Sequence, residues 1–246
     1  MARLDGRVAL ITGAARGQGA EAARRFAAEG AQVMLADVLD DLGRAVADEI
    51  GQAAAYAHLD VTDEDAWAKT VAECVARFGK LDALVNNAGI YRVAPLTEIT
   101  LEDYLAITAV NEVGVFLGMR TAAPALAEAG GGTIVNVSST AAMLPFPGAT
   151  AYAASKAAVL GLTKVAAGEL GPLGIRVNSV HPGAVDTPMM ADVDTEAAGQ
   201  SLPLRRIGTT GDIAAMVLFL TCGESAFCTG AAFVADGGLC AGPVFS

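Results

Sequence analysis

The chain has 246 residues, 53% of them hydrophobic and 17% charged, and a formal net charge of −11. That length suits one large α/β domain or two small ones with a substantial core, and the composition excludes a disordered chain. An excess of acid without any run of basic residues argues against nucleic acid as a partner, because phosphate binding needs clustered Lys and Arg.

Short β-branched apolar runs alternate with longer Ala-rich helical stretches. In chain order the pattern predicts strand Arg7–Ile11, helix Gly17–Glu29, strand Gln32–Ala36, helix Leu39–Ile50, strand Ala54–Leu59 and helix Asp63–Phe78. Strand Ala83–Asn86, one continuous helix Leu101–Glu128, strand Thr133–Val137, helix Tyr152–Leu170, strand Ile175–His181, helix Gly211–Cys222 and strand Ala232–Ala235 follow. Thr62 before "DED" and Thr100 before "LED" are the expected N-caps, each with acids in the first turn. Apolar strands alternating with helices predict an α/β fold, a doubly wound parallel sheet of about seven strands with helices on both faces. No linker or repeat interrupts it, so residues 1–246 are expected to form one domain.

A strand pattern begins within about six residues of Met1, which leaves no room for a cleaved signal. No apolar run approaches the roughly 20 residues needed to cross a bilayer, so a cytoplasmic protein that engages no membrane is expected. Cys74, Cys222, Cys228 and Cys240 lack metal-like spacing and lie far in sequence from His58 and His181. They read as reduced packing residues, with no metal site.

After the first strand comes "TGAARGQG", a Gly-x-x-x-Gly-x-Gly run through Gly13, Gly17 and Gly19. Glycines there let the backbone approach a pyrophosphate, while the following helix offers free N–H groups and its positive end. Tight strand-to-helix joints also use glycine for packing alone. The second strand ends in Asp37, whose carboxylate suits the hydroxyls of an adenosine ribose and would repel a 2′-phosphate, favouring NAD over NADP. Arg16 in the glycine loop pulls the other way, since a guanidinium could assist a phosphate. Asp37 as an N-cap for the next helix is the plainer alternative. Residues 184–208 are too long a connection for a compact domain and read as a substrate lid or as a surface excursion. In "TAYAASKAAV" Tyr152 and Lys156 are four apart, hence one turn apart on one helical face.

With these motifs in order, "TGAARGQG", "LDVT" (59–62), "NNAG" (86–89), Asn111, "IVNVSS" (134–139), "YAASK" (152–156), "HPG" (181–183) and "TP" (187–188), the chain resembles the short-chain dehydrogenase/reductase family along almost its whole length. Within that family it looks most like the bacterial 3α/20β-hydroxysteroid dehydrogenases, through "LADVLD", "HLDVT", "GVFLGM" and "GIRVNSVHPG". The resemblance implies a catalytic tetrad of Asn111, Ser139, Tyr152 and Lys156. It implies NAD held by the loop Gly13, Arg16, Gly17, Gln18 and Gly19, with Asp37 on the ribose and Asp60 and Val61 at the adenine. Asn87, Ala88 and Gly89 would line the cleft, Lys156 would reach the nicotinamide ribose, and Pro182, Gly183, Val185 and Thr187 would hold the carboxamide end. The resemblance also implies a homotetramer built on the Leu101–Glu128 and Tyr152–Leu170 helices, with the tail "GLCAGPVFS" at a further interface. Glu112 departs from the usual apolar or neutral residue after Asn111.

Hydride transfer to or from a secondary alcohol carbon also moves a proton on oxygen. A free phenol has a pKa of about 10, so a neighbouring ammonium together with the positive ring of oxidised nicotinamide is expected to favour the Tyr152 phenolate. Tyr152 is then general base for alcohol oxidation and general acid for ketone reduction. Ser139, chosen over Ser138 because it matches the family spacing to Tyr152, would bond the substrate oxygen. Asn111 would hold a water that links Lys156 to solvent. His181, closing a strand before Pro182, reads as structural. Met143, Leu144, Met189 and Met190, with Ile90, Val93, Pro145 and Phe146 near them, suit a hydrophobic alcohol or ketone such as a steroid or an alicyclic compound. A 3-oxoacyl carrier-protein reductase is the second enzymatic reading, which would call for NADP and a basic docking surface. A non-catalytic dinucleotide-binding protein is the third.

Overall fold

A computed structural model describes residues 2–191 and 193–242. Seven strands alternate with helices in the predicted order. They are β1 (Val8–Thr12), α1 (Gly17–Ala28), β2 (Gln32–Asp37), α2 (Asp40–Ile50), β3 (Ala54–His58), α3 (Glu64–Phe78) and β4 (Ala83–Asn86), then α4 (Leu101–Thr108) and α5 (Gly114–Glu128). The chain continues through β5 (Gly132–Val137), α6 (Thr150–Leu170), β6 (Ile175–Pro182), α7 (Thr195–Gln200), α8 (Thr210–Thr221) and β7 (Ala232–Ala235). All seven strands pair in parallel in the order β3-β2-β1-β4-β5-β6-β7. The order reverses between β1 and β4, and a crevice at such a switch point is where open α/β sheets bind ligands.

Strand alternation divides the core between the two faces. Ala9 and Ile11 of β1 pack with Phe26 of α1 and Val217 of α8, whereas Val8 and Leu10 pack with Trp67 of α3, Leu117 of α5 and Val159 of α6. Both faces are therefore sealed by helices, which is why the central strands read as unbroken apolar runs.

Two local expectations change. The cap of α3 is Asp63, whose carboxylate accepts from Ala66 N–H at 3.0 Å. Thr62 turns the other way and donates its hydroxyl to Asp60. Thr100 caps α4 as expected, accepting from Asp103 N–H. The predicted helix Leu101–Glu128 is broken by a π-helical turn at Ala109–Val113, which carries Asn111. Such turns insert one extra residue into the helical ladder and re-aim a side chain.

Candidate active site

Beyond β1 the chain turns through Gly13–Arg16 into α1. Asn87, just past β4, donates through Nδ2 to the carbonyls of Thr12 (2.9 Å) and Gly13 (3.1 Å). The backbone N–H groups of Asn87 and Ala88 both donate to Thr12 Oγ1 at 3.1 Å. The glycine turn is thus clamped from β4. Gly19 lies so close beneath it that a Cβ would sit 2.2 Å from the Gly13 carbonyl oxygen. Gly19→Ala is expected to destabilise the fold by about 1–3 kcal/mol and to weaken dinucleotide binding. Thermal melting and NADH titration check this, and an unchanged melting temperature would show that the turn yields freely.

The loop fits a dinucleotide pyrophosphate. Arg16 starts α1 with extended backbone and no side-chain cap, which leaves the first-turn N–H groups to an anion. Gln18 Oε1 is buried without a hydrogen-bond partner among the described residues. At Gly17, where φ is +59°, a Cβ would point toward Thr187 at 3.7 Å, so the bare face of the loop looks across to the start of the 184–208 segment.

Asp37 does more than end β2. Its Oδ2 accepts from Ala15 N–H and its Oδ1 from Leu39 N–H, both at 3.0 Å. The carboxylate ties the glycine loop to the entrance of α2 and keeps two of its four lone-pair sites for hydroxyl donors. The residue that caps α2 is Leu39, so Asp37 is not that helix's N-cap. Asp60 is exposed and accepts from both N–H and Oγ1 of Thr62, while Val61 is buried with its carbonyl accepting from Trp67 Nε1.

The tetrad residues converge from three places in the chain: the π turn, the end of β5 and α6. The π turn swings Asn111 inward, fully buried, where Nδ2 donates to Ile90 O (2.9 Å) and Ser155 Oγ (3.2 Å) and Oδ1 accepts from Ile90 N–H (2.8 Å). Asn111 Oδ1 and Lys156 Nζ meet beneath Gly89, at 3.3 and 3.4 Å from the position its Cβ would occupy. Lys156 Nζ donates to Val137 O at 2.9 Å and lies 5.8 Å from the centre of the Tyr152 ring. Ser139 ends the extended run after β5, its Oγ accepting from Ala141 N–H at 3.1 Å. Glu112 is half-buried in the same π turn.

Burial dominates the electrostatics of the protein's own groups around the phenol. Burial pushes the Tyr152 phenol above its ordinary value, and the group that pulls it back is Ser139, not Lys156. The ammonium is placed beside the aromatic ring, Nζ 5.8 Å from its centre, and directs one of its three N–H donors to the Val137 carbonyl. Burial lowers Lys156 from 10.5 to about 8. In the unfolded chain that amine keeps its proton up to 10.5, so the folding penalty is full below pH 8 and fades as pH rises from 8 toward 10.5. Lys156→Met is therefore expected to melt above the wild type near neutral pH, by at most about 3 kcal/mol, with the gap closing on the alkaline side. A variant that melts lower at neutral pH would show that the bond to Val137 outweighs the burial penalty.

Three groups support the tetrad in roles that the sequence did not assign them. Ser155 Oγ donates to the Tyr152 carbonyl (2.8 Å) and receives Asn111, and Ser138 Oγ donates to the Lys156 carbonyl (2.8 Å). Tyr91 stacks edge-on against Tyr152, ring centres 5.0 Å apart. The position of Ser155 between Tyr152 and Lys156 was a signal for the first, Ser138 stood in the sequence only as the alternative to Ser139, and Tyr91 only as a residue near the substrate or facing solvent.

The segments after β4, β5 and β6 bring Val93, Met143, Leu144, Phe146 and Met189 to the carboxyl edge of the sheet, all substantially exposed, with Met190 half-buried. Pro182 closes β6, Gly183 N–H bonds Ala235 O, and buried Val185 bridges to Gly208. Two bonds, Asp186 N–H to Gly208 O (2.9 Å) and Gly208 N–H to Ala184 O (2.8 Å), clasp the ends of the 184–208 segment together. A groove of about 520 Å³ lies elsewhere, between α2, β3 and α3, where Arg44, Asp48, Glu73 and Arg77 give it a mixed-charge lining remote from this chemistry. Among the described residues no group of three or more His, Cys, Asp or Glu could hold a metal ion, and no helix is long and apolar enough to cross a membrane. The four cysteines are free.

Residues 13–240 match the family model described as Enoyl-(Acyl carrier protein) reductase. The chain is 46% identical to a trans-4-hydroxycyclohexanecarboxylate dehydrogenase of Sinomonas cyclohexanicum, covering 98% of this chain and 95% of that one. It is 45% identical to a 3-alpha-(or 20-beta)-hydroxysteroid dehydrogenase of Mycobacterium bovis, with 98% and 92% covered. Among solved structures, a short-chain type dehydrogenase/reductase from Mycobacterium marinum superposes with a TM-score of 0.92 at 37% identity, covering 96% of each chain. The switch-point crevice, the glycine loop and these whole-length likenesses agree: the chain belongs to the short-chain dehydrogenase/reductase family and is an oxidoreductase of that family.

Proposed function

We propose that this enzyme interconverts a hydrophobic alicyclic secondary alcohol and its ketone with NAD, Tyr152 moving the proton. The observation that carries the reading is the cluster at the carboxyl edge of the sheet in which Ser139 and Lys156 flank Tyr152 and buried Asn111 meets Lys156 beneath Gly89. The loop Gly13, Arg16, Gly17, Gln18 and Gly19 would hold the pyrophosphate, Asp37 the adenosine ribose, Asp60 and Val61 the adenine edge, Asn87 to Gly89 the cleft wall, and Pro182, Gly183, Val185 and Thr187 the carboxamide end. When bound, the nicotinamide supplies the hydride acceptor or donor. Ser139 Oγ–H donates to the substrate oxygen and holds the developing negative charge. Tyr152 Oη takes the hydroxyl proton in oxidation and returns it in reduction. Lys156, drawn to about pKa 8, holds a proton that it can release near the working pH, and Asn111 fixes the loop that closes over it.

Met143, Leu144, Met189 and Met190 would wrap the substrate, and the clasped 184–208 segment would be its lid. Both relatives described above carry the names of enzymes of cyclic alcohols, which supports an alicyclic substrate, with 3α- or 20β-hydroxysteroids as the bulky case. Exposed Leu101, Leu105, Val113 and Phe116 along α4 and α5, and Val165 on α6, supply apolar faces that favour a homotetramer. A light-scattering mass of one subunit would refute it. The tail residues 243–246 lie outside the described residues.

Initial rates of NADH formation with cyclohexanol, trans-4-hydroxycyclohexanecarboxylate, a 3α-hydroxysteroid and a 20β-hydroxysteroid, each with NAD and with NADP, test the proposal. Turnover of an alicyclic alcohol with NAD is expected. Turnover confined to 3-oxoacyl thioesters with NADPH would replace it with the acyl-carrier reductase reading. Silence in protein that binds NADH would favour a binding role.

A further inference from the structure

His181 is fully buried at the carboxyl end of β6, and both of its ring nitrogens are engaged. Nδ1 lies 3.1 Å from the carbonyl oxygen of Ser139, and Nε2 lies 2.8 Å from Ser179 Oγ. A carbonyl only accepts, so Nδ1 carries the proton, Nε2 is the acceptor, and the Ser179 hydroxyl donates to it. The neighbouring contacts give this tautomer its meaning. Three consecutive residues at the end of β5 are each tied down: the Val137 carbonyl accepts from Lys156 Nζ (2.9 Å), the Ser138 hydroxyl donates to the Lys156 carbonyl (2.8 Å), and the Ser139 carbonyl accepts from His181. The first two bonds join the strand end to α6. The Ser139 carbonyl also accepts from Ala142 N–H (3.1 Å) within the turn that follows it, so the third bond, from β6, is the one that ties this turn to the sheet from the other side.

We propose that His181 is a positioning residue for the reaction, its Nδ1–H fixing the Ser139 peptide so that the Ser139 hydroxyl stays aimed at the substrate oxygen and at Tyr152. The imidazole is not a proton carrier here, because both nitrogens are spent and burial with nearby Lys156 keeps it neutral. The groups that face the Tyr152 phenol are Ser139 after β5, Lys156 on its own helix and Tyr91 from the loop after β4. Of these, Ser139 pulls the phenol down and Tyr91 pushes it up. Releasing Ser139 therefore moves Tyr152 upward, and with it the pH at which alcohol oxidation switches on.

The inference rests on Tyr152 being the proton carrier, so its test includes a readout that needs no substrate. His181→Phe keeps ring bulk and removes the donor, whereas His181→Asn places an amide N–H near the Nδ1 position. With cyclohexanol and NAD, His181→Phe is expected to lose about ten- to a hundredfold in kcat while NADH binding stays within about twofold. The acid limb of its pH profile should move to higher pH, and His181→Asn should recover most of both losses. Ultraviolet difference titration of wild type against Tyr152→Phe, repeated in the His181→Phe background, reads the phenol directly, and an upward shift is expected there too. A kcat within about threefold of wild type with an unmoved phenol titration would overturn the proposal. So would a folded His181→Asn as impaired as His181→Phe, since the donor would then not matter. Should His181→Phe fail to fold, His181→Asn and Ser179→Ala carry the test: the first near wild type and the second impaired a fewfold supports the role, and the reverse order rejects it. If wild type is inactive on every alcohol while the phenol shift is seen, the functional reading fails and the positioning role stands.

Discussion

Tyr152→Phe is expected to lose about three orders of magnitude in kcat for alcohol oxidation while binding NADH as tightly as the wild type. The substitution deletes only Oη. The ring would keep its edge-on contact with Tyr91 at 5.0 Å and its place under Lys156, so the fold and the cleft walls should persist. What disappears is the proton carrier, and the structure shows no ready substitute. His181 has both nitrogens bonded, and the remaining phenol in contact, Tyr91, is itself raised by burial. Retention of a tenth or more of the activity (about 1.4 kcal/mol of barrier or less) would move the proton transfer off Tyr152. Loss of NADH binding together with activity would point instead to a misfolded cleft.

Asp37→Ala should produce the second largest change, a fall of about a hundredfold or more in the preference for NAD over NADP. A carboxylate and a 2′-phosphate about 5 Å apart repel by about 3 kcal/mol at an effective dielectric of about 20, and this is the term that disappears. Arg16, exposed at the start of α1, would then face the added phosphate with no competing carboxylate. The same variant should also weaken NAD itself, because Asp37 Oδ2 holds Ala15 N–H and so shapes the glycine loop. Kinetic constants measured with both dinucleotides separate the two effects: a drop for NAD without a gain for NADP would mean that Asp37 acts through loop geometry alone. An unchanged ratio would remove Asp37 from cofactor choice.

The features legible in the sequence are those written as patterns of residue type. Strands such as Val8–Thr12 and the Val33–Ala36 stretch of β2 were readable because helices cover both faces of the sheet, which makes their apolar runs continuous. The site residues of "YAASK" and "TGAARGQG" were readable because chemistry restricts both the residue types and their spacing. The π turn was not, since Leu101–Glu128 keeps an apolar helical rhythm on either side of a single inserted position. The swap of Thr62 for Asp63 as cap depends on which side chain bends back toward Ala66, a choice settled by the Asp60–Thr62 turn. The direction in which Tyr152 shifts depends on how deeply the phenol is buried and on where Nζ points, and neither is encoded in a spacing of four.

Asn111 gives Ile90 both hydrogen bonds that a neighbouring strand would have given it, one to N–H and one to carbonyl. Ile90 belongs to no strand or helix, so by local structure alone its amide should exchange with deuterium almost at once. Held by a side chain that a kinked helix delivers, it should instead exchange only when that kink comes apart. The Ile90 amide is thus a built-in clock for the opening of the whole α4–α5 junction, and in Asn111→Ala that clock should run at the speed of an open loop.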